Sequence, residues 1–145
     1  MKKLIIAILA FMTFICINAQ NQDNTYSAEV REAIEQQNFH GDFIKGVKAG
    51  LAPAFKEYGI EEAKLDVFVN DFWNYVHPMW YQRIEKVFRK NLTLDEVKQL
   101  NKGDISQIKK KMEKVSVEVG SESEELMKSD EVQKKMMELL ARCVE

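Results

Sequence analysis

Two cysteines, two prolines, six glycines and two histidines are all that this chain of 145 residues holds of residue types on which many folds and active sites depend. Scarce cysteine excludes a disulfide framework and a cysteine-rich zinc site, which need pairs at fixed spacing. So few prolines and glycines argue against long unstructured linkers, and no glycine-rich phosphate loop is present. Neither a Gly-x-Ser-x-Gly elbow nor a His-Glu-x-x-His helix occurs, so these hydrolase and zinc-peptidase signatures are missing. His40 and His77 stand far apart, with scattered acidic neighbours: Asp42 near one, Asp71 and Glu85 near the other. They read as a loop histidine and a histidine at a helix kink. No catalytic residue, metal ligand or cofactor is assigned. Positive charge is also in short supply, with 21 basic against 23 acidic side chains. That balance argues against a nucleic-acid partner.

Long apolar runs are scarce too, and the one present has a special position. Leu4 to Ile17 is apolar apart from Thr13; it follows Met1-Lys2-Lys3 and precedes a small residue, Ala19. A basic start, a short apolar run and a small residue at the cut form the layout of a secretory signal peptide, with Gln20 as the first mature residue. The run is too short to span a membrane comfortably. Cys16 as an acylated cysteine is the lesser alternative, since Ile15 stands where a lipoprotein signal needs a small residue. The protein is therefore expected to be exported, to the periplasm in the first instance and to the medium as the alternative. Lys2 and Lys3 leave with the signal, so the mature chain carries 21 − 2 = 19 basic and 23 acidic side chains, a net of −4. Cys16 leaves as well. Cys143 is then alone, and is either a buried thiol or the candidate for an intermolecular disulfide in a homodimer.

Beyond the signal (1–19) and a polar segment (20–26), residues 27–145 read as a single all-α domain, a bundle of five or six helices. Apolar residues recur at helical spacing throughout. A first helix is predicted over 27–38, with Val30, Ala33 and Ile34 on one side and Gly41 as the break. Asp42 then caps a second helix carrying Phe43, Val47, Leu51 and Phe55, which Pro53 bends or splits and Tyr58-Gly59 ends. A third helix starts near Glu61, and His77-Pro78 kinks or breaks it. Thr93 and Glu96 have the spacing of a capping box, and Asp104 with Gln107 repeats that spacing before the next helix. Ile105, Ile108, Met112, Val115 and Val119 form an apolar seam. Gly120-Ser121 leads into a polar stretch. A last helix from about Asp130 carries Val132, Met136, Leu139, Leu140 and Cys143.

The densest aromatic segment is 72–81. Adjacent aromatics on one helix cannot all point inward, so some of Trp73, Trp80 and Tyr81 are expected at a surface or cleft. Residues 83–114 hold 10 basic and 5 acidic side chains, among them Lys86, Arg89 and Lys90. With the aromatics they make a candidate surface for an envelope protein or an amphiphile, and contact with a membrane surface stays open without membrane insertion. Met112, Met127, Met136 and Met137 read as core filler in preference to an adaptable surface. The first functional reading is a non-enzymatic protein-interaction module. The alternative is a carrier of a small amphiphilic ligand. A hydrolase built on a histidine–carboxylate pair assembled by folding ranks last.

Leu92-Thr93-Leu94-Asp95-Glu96-Val97-Lys98 follows the pattern Leu-Thr-x-acidic-acidic-hydrophobic-Lys. It comes after a signal peptide, an early helical pair and an aromatic stretch. In this order of features the chain resembles DUF2059, a family of exported bacterial helical proteins known only as a domain of unknown function. The family's Ser-Pro-x-Gly-x-Lys turn reads here as Ser106-Gln107-Ile108-Lys109-Lys110, without the proline and the glycine. The resemblance covers about residues 25–120. It implies an all-helical envelope protein and brings no catalytic residues.

Overall fold

The apolar stripe of the first helix begins a turn earlier than its polar surroundings suggest. The computed structural model describes residues 23–144; the signal peptide, Ala19, Gln20 and Cys16 lie outside them. Helix α1 (residues 23–36) is already formed at Tyr26, four residues before Val30 and on the same face. Tyr26, Val30, Ala33 and Ile34 are all buried. Much of the segment read as a polar leader is therefore helix.

The break after α1 falls at residues 37–38, not at Gly41. Asn38 adopts φ 52°, a left-handed conformation that asparagine tolerates better than most residues. Helix α2 (Phe39–Glu57) starts directly after it, which puts His40 inside a helix and Asp42 in its first turn without a capping role. Gly41 has a different use: a Cβ there would stand 2.6 Å from the Asn38 side chain.

Neither proline breaks its helix. Pro53 lies within α2, and Pro78 lies within α3 (Glu62–Asn91), which runs unbroken for 30 residues. A proline in a helix interior costs about 3 kcal/mol, chiefly through a lost hydrogen bond and a steric clash. Both prolines and the carbonyl-bearing residues a turn before them, Ala49 and Asn74, are exposed, so water reaches the freed carbonyls. Buried Phe72 and Val76 on one side of Pro78, and Ile84 and Val87 on the other, favour continuing the stripe.

Helix α4 (Leu94–Asn101) opens on the predicted capping box. Glu96 N–H donates to Thr93 Oγ1 at 3.3 Å and Thr93 N–H donates to Glu96 Oε2 at 2.8 Å. The second expected cap does not form. Asp104 Oδ1 instead accepts from Ser106 N–H at 3.2 Å and from Ser106 Oγ at 2.7 Å, a local turn that competes with a helix start. Helix α5 (Lys109–Lys128) therefore begins later, and Ile105 drops out of the seam to lie exposed. The helix passes through Gly120-Ser121 without interruption, because Leu126 beyond them is buried. Helix α6 (Asp130–Val144) begins where expected, with Val132, Leu139 and Cys143 buried.

The result is an all-α bundle of six helices, with no strand among the described residues. Two apolar cores share α3. One joins α1, the second half of α3, α4 and the start of α5, around Val30, Ile84, Phe88 and Val97. The other joins α2, the first half of α3, the end of α5 and α6, around Phe68, Val69, Phe72 and Val132. Trp80 packs against both.

Candidate functional site

Helical geometry sorts the aromatic segment residue by residue. Phe72 and Val76 are buried, while Trp73, Trp80 and Tyr81 are half-buried on the flank of α3 that faces α1, the start of α2 and α5. The Trp73 indole has a near-parallel neighbour in His77, one turn along, with centroids 5.4 Å apart. His40 from α2 also stacks on it at 4.9 Å, and Phe43 lies tilted at 4.9 Å. Both histidines of the chain thus meet on one indole, although 36 positions separate them in sequence. His77 sits in a continuous helix and its Nδ1 lies 3.2 Å from the Trp73 carbonyl. Among the described residues no group of histidine, cysteine and carboxylate side chains is arranged to hold a metal ion.

Trp80 is tied inward. Its Nε1–H donates to Ser123 Oγ at 2.8 Å, Ser123 donates on to the Val119 carbonyl at 2.7 Å, and Phe39 covers the ring at 5.2 Å. Tyr81 stands edge-on to Trp80 and His77, at 5.5 and 5.9 Å, with the Arg31 guanidinium 5.9 Å from its ring centre. Burial raises the Tyr81 phenol pKa, Glu35 raises it further, and Arg31 opposes them.

Much of the basic middle is answered within the chain. Arg89 pairs with Glu85 at 2.6 Å and Asp23 at 2.7 Å, and lies over the Tyr26 ring at 4.4 Å. Lys90 pairs with Glu118 at 3.2 Å. Lys111 pairs at 2.6 Å with Glu96, the capping carboxylate. Burial works against the ionised Glu85, but hydrogen bonds from Ser27 and Arg89 outweigh it and lower its pKa. Of the three basic candidates only Lys86 is exposed with no ion pair among the described residues.

Three hollows surround this cluster. The first, about 520 Å³, lies between α1, α3, the α4–α5 turn and α5; Ile34, Ile84, Phe88, Met112 and Val119 supply its walls, with Gln37, Ser116 and Ser123 as its polar members. Sequence reading missed it because its walls come from four separate segments. A smaller chamber of about 230 Å³ adjoins it, sharing Phe39 and Ser123 and bounded on its far side by Trp73. On the other face of the α1–α2 turn is a polar cleft of about 590 Å³, lined by Arg31, Glu35, His40, Trp73, His77, Tyr81, Gln82 and the Arg89-paired Glu85. Trp73 is common to the chamber and the cleft.

Cys143 faces inward at the opposite end of α3. Its Sγ lies 3.4 Å from the Leu139 carbonyl and 3.8 Å from the Lys64 carbonyl, and burial raises its pKa. The thiol is buried, and a bridge to a second chain requires the end of α6 to lift off α3. Met112, Met127 and Met136 are half-buried fillers and Met137 is exposed. No family model, no curated protein and no solved structure matches this chain.

Proposed function

We propose that this chain is a non-enzymatic binding protein for a small amphiphile, whose apolar part occupies the hollow between α1, α3 and α5. The observation that carries this reading is the lining of that hollow: aliphatic and aromatic side chains, three uncharged polar residues and no charged group. Its volume of about 520 Å³ falls in the range of small-molecule sites, which runs from about 300 to 1,000 Å³. Export to the periplasm belongs to the same reading, as does the resemblance to DUF2059 through residues 92–98. Among the described residues no helix is long and apolar enough to cross a membrane.

Gly120 gives the test. It lines the hollow, and a Cβ added there meets nothing within 4 Å. Gly120→Phe adds a ring at the edge of the hollow from α5, and its Cβ meets no other atom. Single-chain dodecyl amphiphiles, titrated below their micelle concentrations, are expected to raise the melting temperature of the natural protein and to leave Gly120→Phe unmoved. An unchanged melting temperature in the natural protein overturns the proposal.

The protein-interaction reading has narrower support. It drew on Trp80, Arg89 and Lys90, all of which have partners inside the molecule. Its remaining members are Trp73, Tyr81 and Lys86. Crosslinking in living cells that captures one reproducible envelope protein, lost in Lys86→Ala, is the result that would restore it.

A further inference from the structure

We infer that the cleft on the far side of Trp73 receives the head group of the same amphiphile, and that this head group is zwitterionic. The inference rests on the amphiphile reading above and adds the chemistry of the ligand's polar end.

The hollows come in series. Phe39 and Ser123 belong to both the main apolar space and the small chamber, and Trp73 belongs to both the chamber and the polar cleft. Phe39 and His40, neighbours at the start of α2, face the two sides: the phenyl ring lines the apolar spaces and the imidazole lines the cleft. A molecule with its chain in the apolar hollow and the chamber reaches Trp73, which also lines the cleft.

The cleft's charges point to the kind of head. Around it the chain matches its ions internally: Arg83 with Glu122, Arg89 with Glu85, Lys90 with Glu118. Arg31 and Glu35, which line the cleft, are not matched in this way, whereas Glu85, which lines it too, is held by Arg89. Neither Arg31 nor Glu35 makes an ion pair among the described residues, and the Glu35 carboxylate accepts no hydrogen bond there. They stand one turn apart on α1, where side chains start about 5–6 Å from each other. Both line the cleft with Tyr81, whose phenol pKa one raises and the other lowers. The Tyr81 hydroxyl and the Gln82 amide also lack hydrogen-bond partners among the described residues.

A ligand carrying one charge of each sign a few ångströms apart satisfies this set. The Arg31 fork suits a phosphate or carboxylate oxyanion. An ammonium is held by Glu35 and attracted by the π face of Tyr81. A purely anionic head leaves Glu35 opposed to it, a purely cationic head leaves Arg31 opposed, and an uncharged head uses neither.

The test compares heads on one chain length, by calorimetry on the full chain: dodecylphosphocholine, dodecyl maltoside, dodecanoate and dodecyltrimethylammonium, with free phosphocholine as a tailless control. Dodecylphosphocholine is expected to bind most tightly. Arg31→Gln, which also gives up the guanidinium contact with the Tyr81 ring, and Glu35→Gln are each expected to weaken it about tenfold, equivalent to about 1.4 kcal/mol, and to leave dodecyl maltoside unchanged. If all four amphiphiles bind alike and neither substitution matters, while Gly120→Phe still abolishes binding, the cavity reading stands and the head-group inference is overturned. If no amphiphile binds, both fall. If free phosphocholine binds as tightly as its dodecyl form, the cleft and the hollow serve different ligands and the inference is likewise overturned.

Discussion

Tyr26 joins the chain's first described turn to the end of α3. Its ring is buried, its hydroxyl donates to the Leu92 carbonyl at 2.9 Å, and Arg89 lies over its face. Tyr26→Phe keeps the ring and leaves that carbonyl without its donor, which is expected to cost about 1–2 kcal/mol in denaturant unfolding at neutral pH. Burial also pushes the phenol from 10.0 up to about 12, with Arg89 opposing the rise. Below pH 10 the phenol is protonated in both folded and unfolded chains and adds no pH dependence. Between pH 10 and about 12 the unfolded chain releases its proton first, so the folded state loses relative stability across that window; above it the loss levels off. Natural protein and Tyr26→Phe are thus expected to converge in stability as pH rises through this range. A gap that stays constant would show that the phenol is not held neutral by folding.

Helix α2 holds two glycines that its geometry does not require. A Cβ at Gly46 or Gly50 meets nothing within 4 Å, and neither has a positive φ. Alanine at each is expected to raise stability by about 1 kcal/mol through helix propensity and a less mobile unfolded chain. Gly103, at φ +79° after α4, is the contrasting case, and Gly103→Ala is expected to lower stability by about 1 kcal/mol. Thermal melts of the three variants check both signs. The same helices show what could be read in the sequence. Periodic stripes revealed the helices, and Thr93 with Glu96 revealed one start, because both signals are local. A break at the prolines, one of the two outcomes their local cost allows, does not occur, and at Pro78 the buried stripes of α3 continue on both sides. Asp104 misled because its carboxylate has two local uses and the turn with Ser106 prevailed. The His40–Trp73–His77 stack and the opposed charges of Arg31 and Glu35 were invisible, since they exist only once α1 and the start of α2 lie against α3.

Two cores on one helix divide the molecule into parts that need not open together. Val97 in one and Val132 in the other are both fully buried. Val97→Ala and Val132→Ala are each expected to cost about 1–3 kcal/mol. Hydrogen exchange should distinguish them: Val97→Ala quickens exchange first in α1 and α4, and Val132→Ala first in α2 and α6. Uniform acceleration everywhere in both variants would mean that the cores open as one unit. Trp80, which touches both, is the side chain best placed to couple them, and it also lines the small chamber beside the proposed binding hollow.

The described ends of the chain are fastened at opposite ends of α3. Tyr26 bonds to Leu92 at one, and Lys64 donates to the Cys143 carbonyl at the other, at 3.0 Å. The 30 residues between span about 45 Å. Tension applied between residues 23 and 144 therefore runs along the axis of α3. It loads α1 and α6 in shear against the same helix, where many side-chain contacts must slip together, instead of unzipping either helix one turn at a time. Under a stretching force the long helix acts as a splice plate, and the domain yields only when a whole overlap gives way.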